Sequence, residues 1–487
     1  MTPFIGLRLP DGLPRPLGQE RSVNQGRIMP RNRAVFLALV SAALVAGAGA
    51  FVVQAQSAKL VSSYGPNNQE MTFEQIKAGR LAVKAERARV HAALLASRYE
   101  LKTVTGDARM SGGKAVPVGP TARLSGTTWE QLDKMTPDEI KEKALFPYPP
   151  LPFPDHAEGG MLFPKMTIDV LPRLTRFDLD FDLPEHVLPD RAPPIFLTTR
   201  PDLGDVSKGR VITLENYYET FNGLLNPKQL EGLRLLVTQF PQQQFNATED
   251  RRTDRADGMI GVTCFDCHVN GHTNRATHLV GDIRPQEFRH RINTPTLRGV
   301  NVQRLFGSQR ALKTVEDFTE FEQRAAYFDG DHTMAAKKGV NVLDRGSQVH
   351  FMAEFMAILD FPPASKLNIY GELDVAKAAP AEARGQALFN GKARCSTCHP
   401  APYYTDNSMH NLKAERFYKQ TLVDGMMMAH DGPIKTFPLR GIKDSPPYLH
   451  DGRCLTLEDT VEYFNLIQQL HLTPPEKKDL VAFLLSL

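Results

Sequence analysis

Ile292-Asn293-Thr294-Pro295-Thr296-Leu297-Arg298-Gly299-Val300 returns, with changes, as Ile434-Lys435-Thr436-Phe437-Pro438-Leu439-Arg440-Gly441-Ile442. Further on, Ser308 to Asp317 matches Asp451 to Asp459 when one gap is allowed. Each copy follows a Cys-x-x-Cys-His run: Cys264-Phe265-Asp266-Cys267-His268 in the first, Cys395-Ser396-Thr397-Cys398-His399 in the second. Self-similarity of this kind marks a duplicated unit, and the cysteine spacing gives that unit its chemistry. Cys-x-x-Cys-His is the attachment signature of c-type haem. The two thiols add to the porphyrin vinyl groups, and the adjacent imidazole lies beneath the ring as an iron ligand. A zinc site or a redox dithiol would account for one such run. Two runs in a duplicated, exported chain favour two haem c groups.

Working outward, the chain has 487 residues, 41% hydrophobic and 23% charged, with a formal charge of +3. Length suggests about three domains. The charge balance argues against a disordered tail or a nucleic-acid-binding surface. Arg31-Asn32-Arg33 precedes an apolar run over 34–53, and Val53-Gln54-Ala55 offers small residues at the −3 and −1 positions of a cleavage site. Residues 1–55 therefore read as a leader that directs the protein to the periplasm, an uncleaved anchor being the alternative. Its removal takes six Arg and two acids from 58 Lys+Arg and 55 Asp+Glu, leaving a nearly neutral protein with no membrane partner.

A helix is expected over 73–99, capped by Thr72 and Gln75, with a basic solvated face. Residues 145–203 carry Pro147, Pro149, Pro150, Pro152, Pro154, Pro193 and Pro194, which predict an irregular segment wrapping the rest. The only tryptophan, Trp129, lies just upstream. A second helix is expected over 224–240. Thr473-Pro474-Pro475-Glu476 combines an N-cap, a proline at N1 and a capping acid, opening a last helix with Leu480, Val481, Phe483, Leu484 and Leu487 on one face.

From about 260 to 487 the chain resembles the bacterial dihaem cytochrome c peroxidases and their relative MauG. The carrying segments are Asn293-Thr294-Pro295-Thr296-Leu297-Arg298, Tyr404-Thr405-Asp406-Asn407-Ser408-Met409-His410 and Pro447-Tyr448-Leu449-His450-Asp451-Gly452. The resemblance implies a first haem, on His268, that meets hydrogen peroxide, and a second, on His399, that supplies the other oxidising equivalent, so that high-valent iron is shared by both. It places the distal acid/base at Glu316, with Asp317 as neighbour and a helix-start carboxylate as the bland reading. The family's distal Gln is unmatched, Gln303 and Gln309 being merely near; His272 and His278 lie in the loop, where a surface position is the expectation. By the same resemblance the second iron takes its sixth ligand from Tyr463, against a packed core tyrosine and the rivals Met426, Met427 and Met428. A calcium ion is implied at Asn293, Ser445 and Pro447. No tryptophan is left to lie between the haems, so Cys454 or a tyrosine would stand there, an inert buried thiol being the plainer role for Cys454.

The expected architecture is mostly α. It comprises a leader (1–55), a Pro-rich N-terminal extension (56–204), a first, peroxidatic haem domain (205–375) and a second, electron-reservoir haem domain (376–487). The expected function is a periplasmic dihaem oxidoreductase acting on peroxide, with an electron donor or protein substrate such as a small cytochrome or cupredoxin; a homodimer is compatible with it. A non-enzymatic dihaem carrier would instead have both irons saturated by protein ligands, and a dihaem oxygenase would need a hydrophobic substrate channel.

Overall fold

The computed structural model describes residues 82, 86, 89–90, 92–101, 104–151, 165–172, 191–239, 263–275, 277–280, 290–308, 310–322, 345–420, 422–423, 426–427 and 432–487. The expected leader, the start of the 73–99 helix and Gln309 lie outside them. Residues Ser62–Leu487 form one compact unit. Among the described residues, structure is helix-rich, strands occur only as two-stranded antiparallel pairs, and no helix is long and apolar enough to cross a membrane.

Local chemistry sets the helix ends. The helix expected over 224–240 is observed as Pro227–Leu236. Asn226 caps it by accepting from the Gln229 N–H at 2.9 Å, and the following proline holds Asn226 in extended backbone, so the helix cannot begin earlier. Pro474–Ser486 begins as the sequence predicts, with the Glu476 carboxylate accepting from the Thr473 N–H at 2.7 Å. Residues 92–98 are helical, ending the first expected helix. The described parts of the Pro-rich segment hold only Lys165–Val170 and a 3-10 turn at Pro201–Leu203. The hairpin Val104–Arg109 with Ala115–Val118 has no counterpart in the sequence reading.

Two helix pairs support two hydrophobic cores. Pro227–Leu236 crosses His350–Met356 at Gly232, where a Cβ would run into the Phe351 carbonyl. Pro380–Asn390 crosses Pro474–Ser486 at Gly385, where a Cβ would run into the Asp479 carbonyl. One core draws on residues between Ile195 and Leu359, and the other on residues between Leu373 and Leu487. The second also takes in Leu95, Tyr99, Leu132, Ile140, Phe146, Tyr148 and Leu151, so this part of the extension contributes to the core. Tyr148 and Thr121 both donate to the buried Asp459 carboxylate, at 2.8 and 2.6 Å, and Tyr99 donates to the Arg453 carbonyl at 2.8 Å.

The repeated segments share one backbone course at a constant spacing of 142 positions. Gly299 and Gly441 both adopt left-handed φ, +73° and +71°, before a 3-10 turn (Val300–Val302 and Ile442–Asp444). Phe306 bridges Leu312 as Tyr448 bridges Cys454. Thr314 and Thr456 each cap a helix, Val315–Phe321 and Leu457–Gln468, in a box closed by Asp317 or Asp459. This register needs no gap; the gapped match of Ser308–Asp317 to Asp451–Asp459 is corrected, because it pairs Leu312 with Leu455, whereas the bridges make Cys454 the counterpart of Leu312. The two copies also cross reciprocally: the Asn293 N–H donates to the His450 carbonyl at 2.7 Å, and the Lys435 N–H to the Ser308 carbonyl at 2.9 Å.

Candidate functional site

Each Cys-x-x-Cys-His run forms a tight turn that presents its histidine inward. Cys264–Cys267 is one helical turn capped by Thr263, whose hydroxyl accepts from the Asp266 N–H at 3.1 Å while Asp266 accepts from the Thr263 N–H at 2.7 Å. Cys395–Thr397 is a 3-10 turn entered through left-handed Arg394. His268 Nδ1 lies 2.8 Å from the Pro295 carbonyl, and His399 Nδ1 2.8 Å from the Tyr404 carbonyl. A carbonyl can only accept, so each Nδ1 carries the proton and each Nε2 lone pair is left for a metal. Burial pushes His268 down to about 4 and lowers His399 as well, keeping both rings neutral and able to ligate. Burial also pushes the thiols up, Cys264 and Cys395 to about 12, so they stay protonated. No cysteine is paired in a disulfide. Among the described residues, no three His, Cys, Asp or Glu side chains converge as a metal cluster.

Both runs line one continuous cavity of about 970 Å³. Close-packed interiors leave few voids larger than a water molecule, so a space of this size is prepared for a large group. Its walls include Leu236, Met352, Met356, Leu457, Val461 and Leu480, an apolar surround suited to a porphyrin. Size, apolar walls, protonated thiol pairs and Nδ1-anchored imidazoles together fit haem at both runs.

Val315, Phe318 and Thr319 of the helix Val315–Phe321 and its C-cap Glu322 face the cavity, the spacing of a single helix face. Glu316 lies off it, its Oε1 3.3 Å from His350 Nδ1. Burial raises the Glu316 carboxyl, but its own backbone N–H, His350 and Thr314 outweigh this and hold it low. Asp317 closes the capping box with Thr314. Glu322, which the sequence reading passed over, is pushed up by burial to about 7. Gln303 lines the cavity too, accepting from Lys435 Nζ at 2.6 Å.

Tyr463 is buried and lines the cavity, its ring packed against Phe146, Tyr148 and Phe464. Met426–Met427 form a short strand whose side chains lie outside the described residues, as does Met428. Asn293, Ser445 and Pro447 come together on the wall, Asn293 Nδ2 donating to the Pro447 carbonyl at 3.3 Å. The surface position expected for His272 is corrected. It is 2% exposed, with Nδ1 2.8 Å from Thr296 Oγ1 and Nε2 3.1 Å from the Asp444 carbonyl. The His278 side chain lies outside the described residues. Cys454 is fully buried in the second core, its thiol raised by burial, and is not part of the cavity wall, whereas Tyr448 is. Trp129 stacks on Tyr148 at 6.2 Å, away from the cavity.

No family model matches the chain. Cytochrome-c peroxidase IdrP1 of Denitromonas iodatirespirans is 32% identical over 154 residues, covering 23% of this chain and 41% of that protein. Methylamine utilization protein MauG of Methylorubrum extorquens is 32% identical over 118 residues, covering 21% of this chain and 33% of the relative. The chain thus spans less than half the length of these curated relatives. Among solved structures, a MauG-like protein associated with microbial copper homeostasis aligns with 63% of this chain and 94% of its own at 19% identity, with a TM-score of 0.37.

Proposed function

We propose that this chain, a member of the dihaem cytochrome c peroxidase and MauG family, is a dihaem c-type oxidoreductase that reacts with hydrogen peroxide. One observation carries the reading. A single apolar cavity is lined by two Cys-x-x-Cys-His runs, each with its histidine Nδ1 on a backbone carbonyl. Haem iron would supply the site that meets peroxide and the capacity to hold its oxidising equivalents.

Cys264, Cys267 and His268 would hold the first haem, and Cys395, Cys398 and His399 the second. Residues 205–375 and 376–487 would be the corresponding domains, although the first core also takes in Ile195 and Leu197 and the second takes in Leu373 and residues between Leu95 and Leu151. Glu322 is the carboxylate best placed to move a proton between the peroxide oxygens, since it faces the cavity and sits near neutrality. Glu316, the choice by family resemblance, would act from behind the helix through His350. Tyr463 would give the second iron its sixth ligand from the cavity wall. Asn293 could turn its amide oxygen toward a calcium ion shared with the Ser445 and Pro447 carbonyls. Residues 1–55 support export to the periplasm, where a small redox protein or a protein substrate would deliver electrons.

Mixing the diferric holoprotein with peroxide in a stopped-flow spectrometer tests this. The Soret band should bleach and shift within the mixing experiment and return on adding reductant. A spectrum indifferent to peroxide would put the carrier reading in its place.

A further inference from the structure

Lys435 is 3% exposed and is part of the cavity wall. Its hydrogen bond goes to a neutral amide, Gln303 Oε1, at 2.6 Å, and its charge lies 4.7 Å from the centre of the Phe437 ring. Among the described residues no carboxylate lies within ion-pair distance of it. Instead a second cation, Arg310, acts on it from nearby, and Arg310 Nε is itself buried with no partner among the described residues. Two cations close together and unbalanced by an acid are costly in an apolar wall.

The duplication shows that the fold does not require this charge. Asn293 occupies the position equivalent to Lys435, and its backbone makes the reciprocal crossing with a neutral side chain. The lysine is therefore an added feature of the cavity, placed where an anion would relieve it.

We propose that Lys435, with Gln303 and Arg310 behind it, is an anion-binding point that receives a carboxylate inside the cavity, either a haem propionate or a small free carboxylate. The inference rests on the dihaem reading. A lysine ammonium and an amide can meet the two oxygens of one carboxylate, and burial strengthens such a charge-assisted pair. The pair would pull one haem edge toward the crossing where the two copies of the repeat exchange backbone hydrogen bonds, making Lys435 a positioning residue.

The test uses the holoprotein and two variants, Lys435→Met and Lys435→Gln, with Lys435→Arg as rescue. Mass spectrometry counts the haems and spectroelectrochemistry reads both reduction potentials. Loss of the cation should make reduction of one haem about tenfold less favourable, leave two haems attached, and be reversed in Lys435→Arg. A propionate partner predicts wild-type potentials that do not change with added acetate. A free-anion partner predicts acetate dependence in the wild type that both neutral variants lose. Two attached haems with both potentials unmoved in both neutral variants would overturn the anion site alone. A wild-type protein without haem would overturn the dihaem reading and this inference together.

Discussion

Glu316 stands in the first turn of a short helix and Glu322 caps its end, yet only Glu322 looks into the cavity. The difference is angular. Glu322 continues the face begun by Val315, Phe318 and Thr319, while Glu316 is turned toward His350. That face was available in the sequence as an i, i+3, i+4, i+7 series. It was missed because a glutamate ending an apolar series reads as a solvated helix end, and its burial depends on distant chain. With its carboxyl pushed up to about 7, Glu322 is deprotonated as pH rises through neutrality, so a base working on peroxide should gain with pH over that range. Glu322→Gln should slow the peroxide reaction about 100-fold and flatten the pH profile, while Glu316→Gln should change it only a few-fold. Stopped-flow rates between pH 5.5 and 8.5, roughly bracketing that midpoint, check this, and the reverse ranking would reassign the role to Glu316. At the second haem, Tyr463→Phe removes the proposed anionic ligand. The potential of that haem should rise on the order of 100 mV, part of the ~0.8 V range that axial ligands command. An unchanged potential and spectrum would make Tyr463 a packing residue.

At the scale of elements, the two 3-10 turns after Gly299 and Gly441 are where the copies meet the rest of the molecule. Arg298 Nη1 lies 3.0 Å from Asp444 Oδ2, both side chains 3% exposed, and the same carboxylate accepts from the Ser111 N–H at 2.8 Å. Burial pushes Asp444 up, but Arg298, His272 and Ser111 outweigh it and hold the carboxyl below its usual range. A depressed carboxylate contributes stability above its unfolded pKa of about 4, and that contribution is lost as pH falls through the folded value. Asp444→Ala, which strands a buried guanidinium, should therefore cost about 3–5 kcal/mol near neutrality and less in acid. Urea unfolding at pH 7 and pH 3.5, on either side of that ~4 value, measures both; a loss equal at the two pH values would remove the ion pair from the account. Arg298 and Arg440 were legible as repeats of one motif, but their different duties were not. Arg440 Nε donates to the Leu487 carbonyl at 3.2 Å, a partner that only tertiary structure supplies. The caps at Asn226, Thr456 and Thr473 are local chemistry, and of these the Thr473 cap could be read directly.

Across the whole molecule, what the sequence disclosed was periodic or local: the two Cys-x-x-Cys-His runs, the repeated Thr-x-x-Leu-Arg-Gly turn and the last helix. What it concealed was long-range. Tyr99 and Tyr148 fill the second core and bond to Arg453 and Asp459 more than 300 positions away, pairings that leave no periodic trace in the sequence. The single cavity is also a whole-molecule property, since its wall combines residues from Leu236 to Leu484. Covalent loading of that cavity is the premise for every role assigned to it. Intact-mass spectrometry of the protein, produced in cells with haem-attachment machinery, tests the premise most directly. The wild type should carry the mass of two haems, and Cys264→Ala/Cys267→Ala and Cys395→Ala/Cys398→Ala should each carry one. A wild-type mass equal to that of the bare polypeptide would contradict the account.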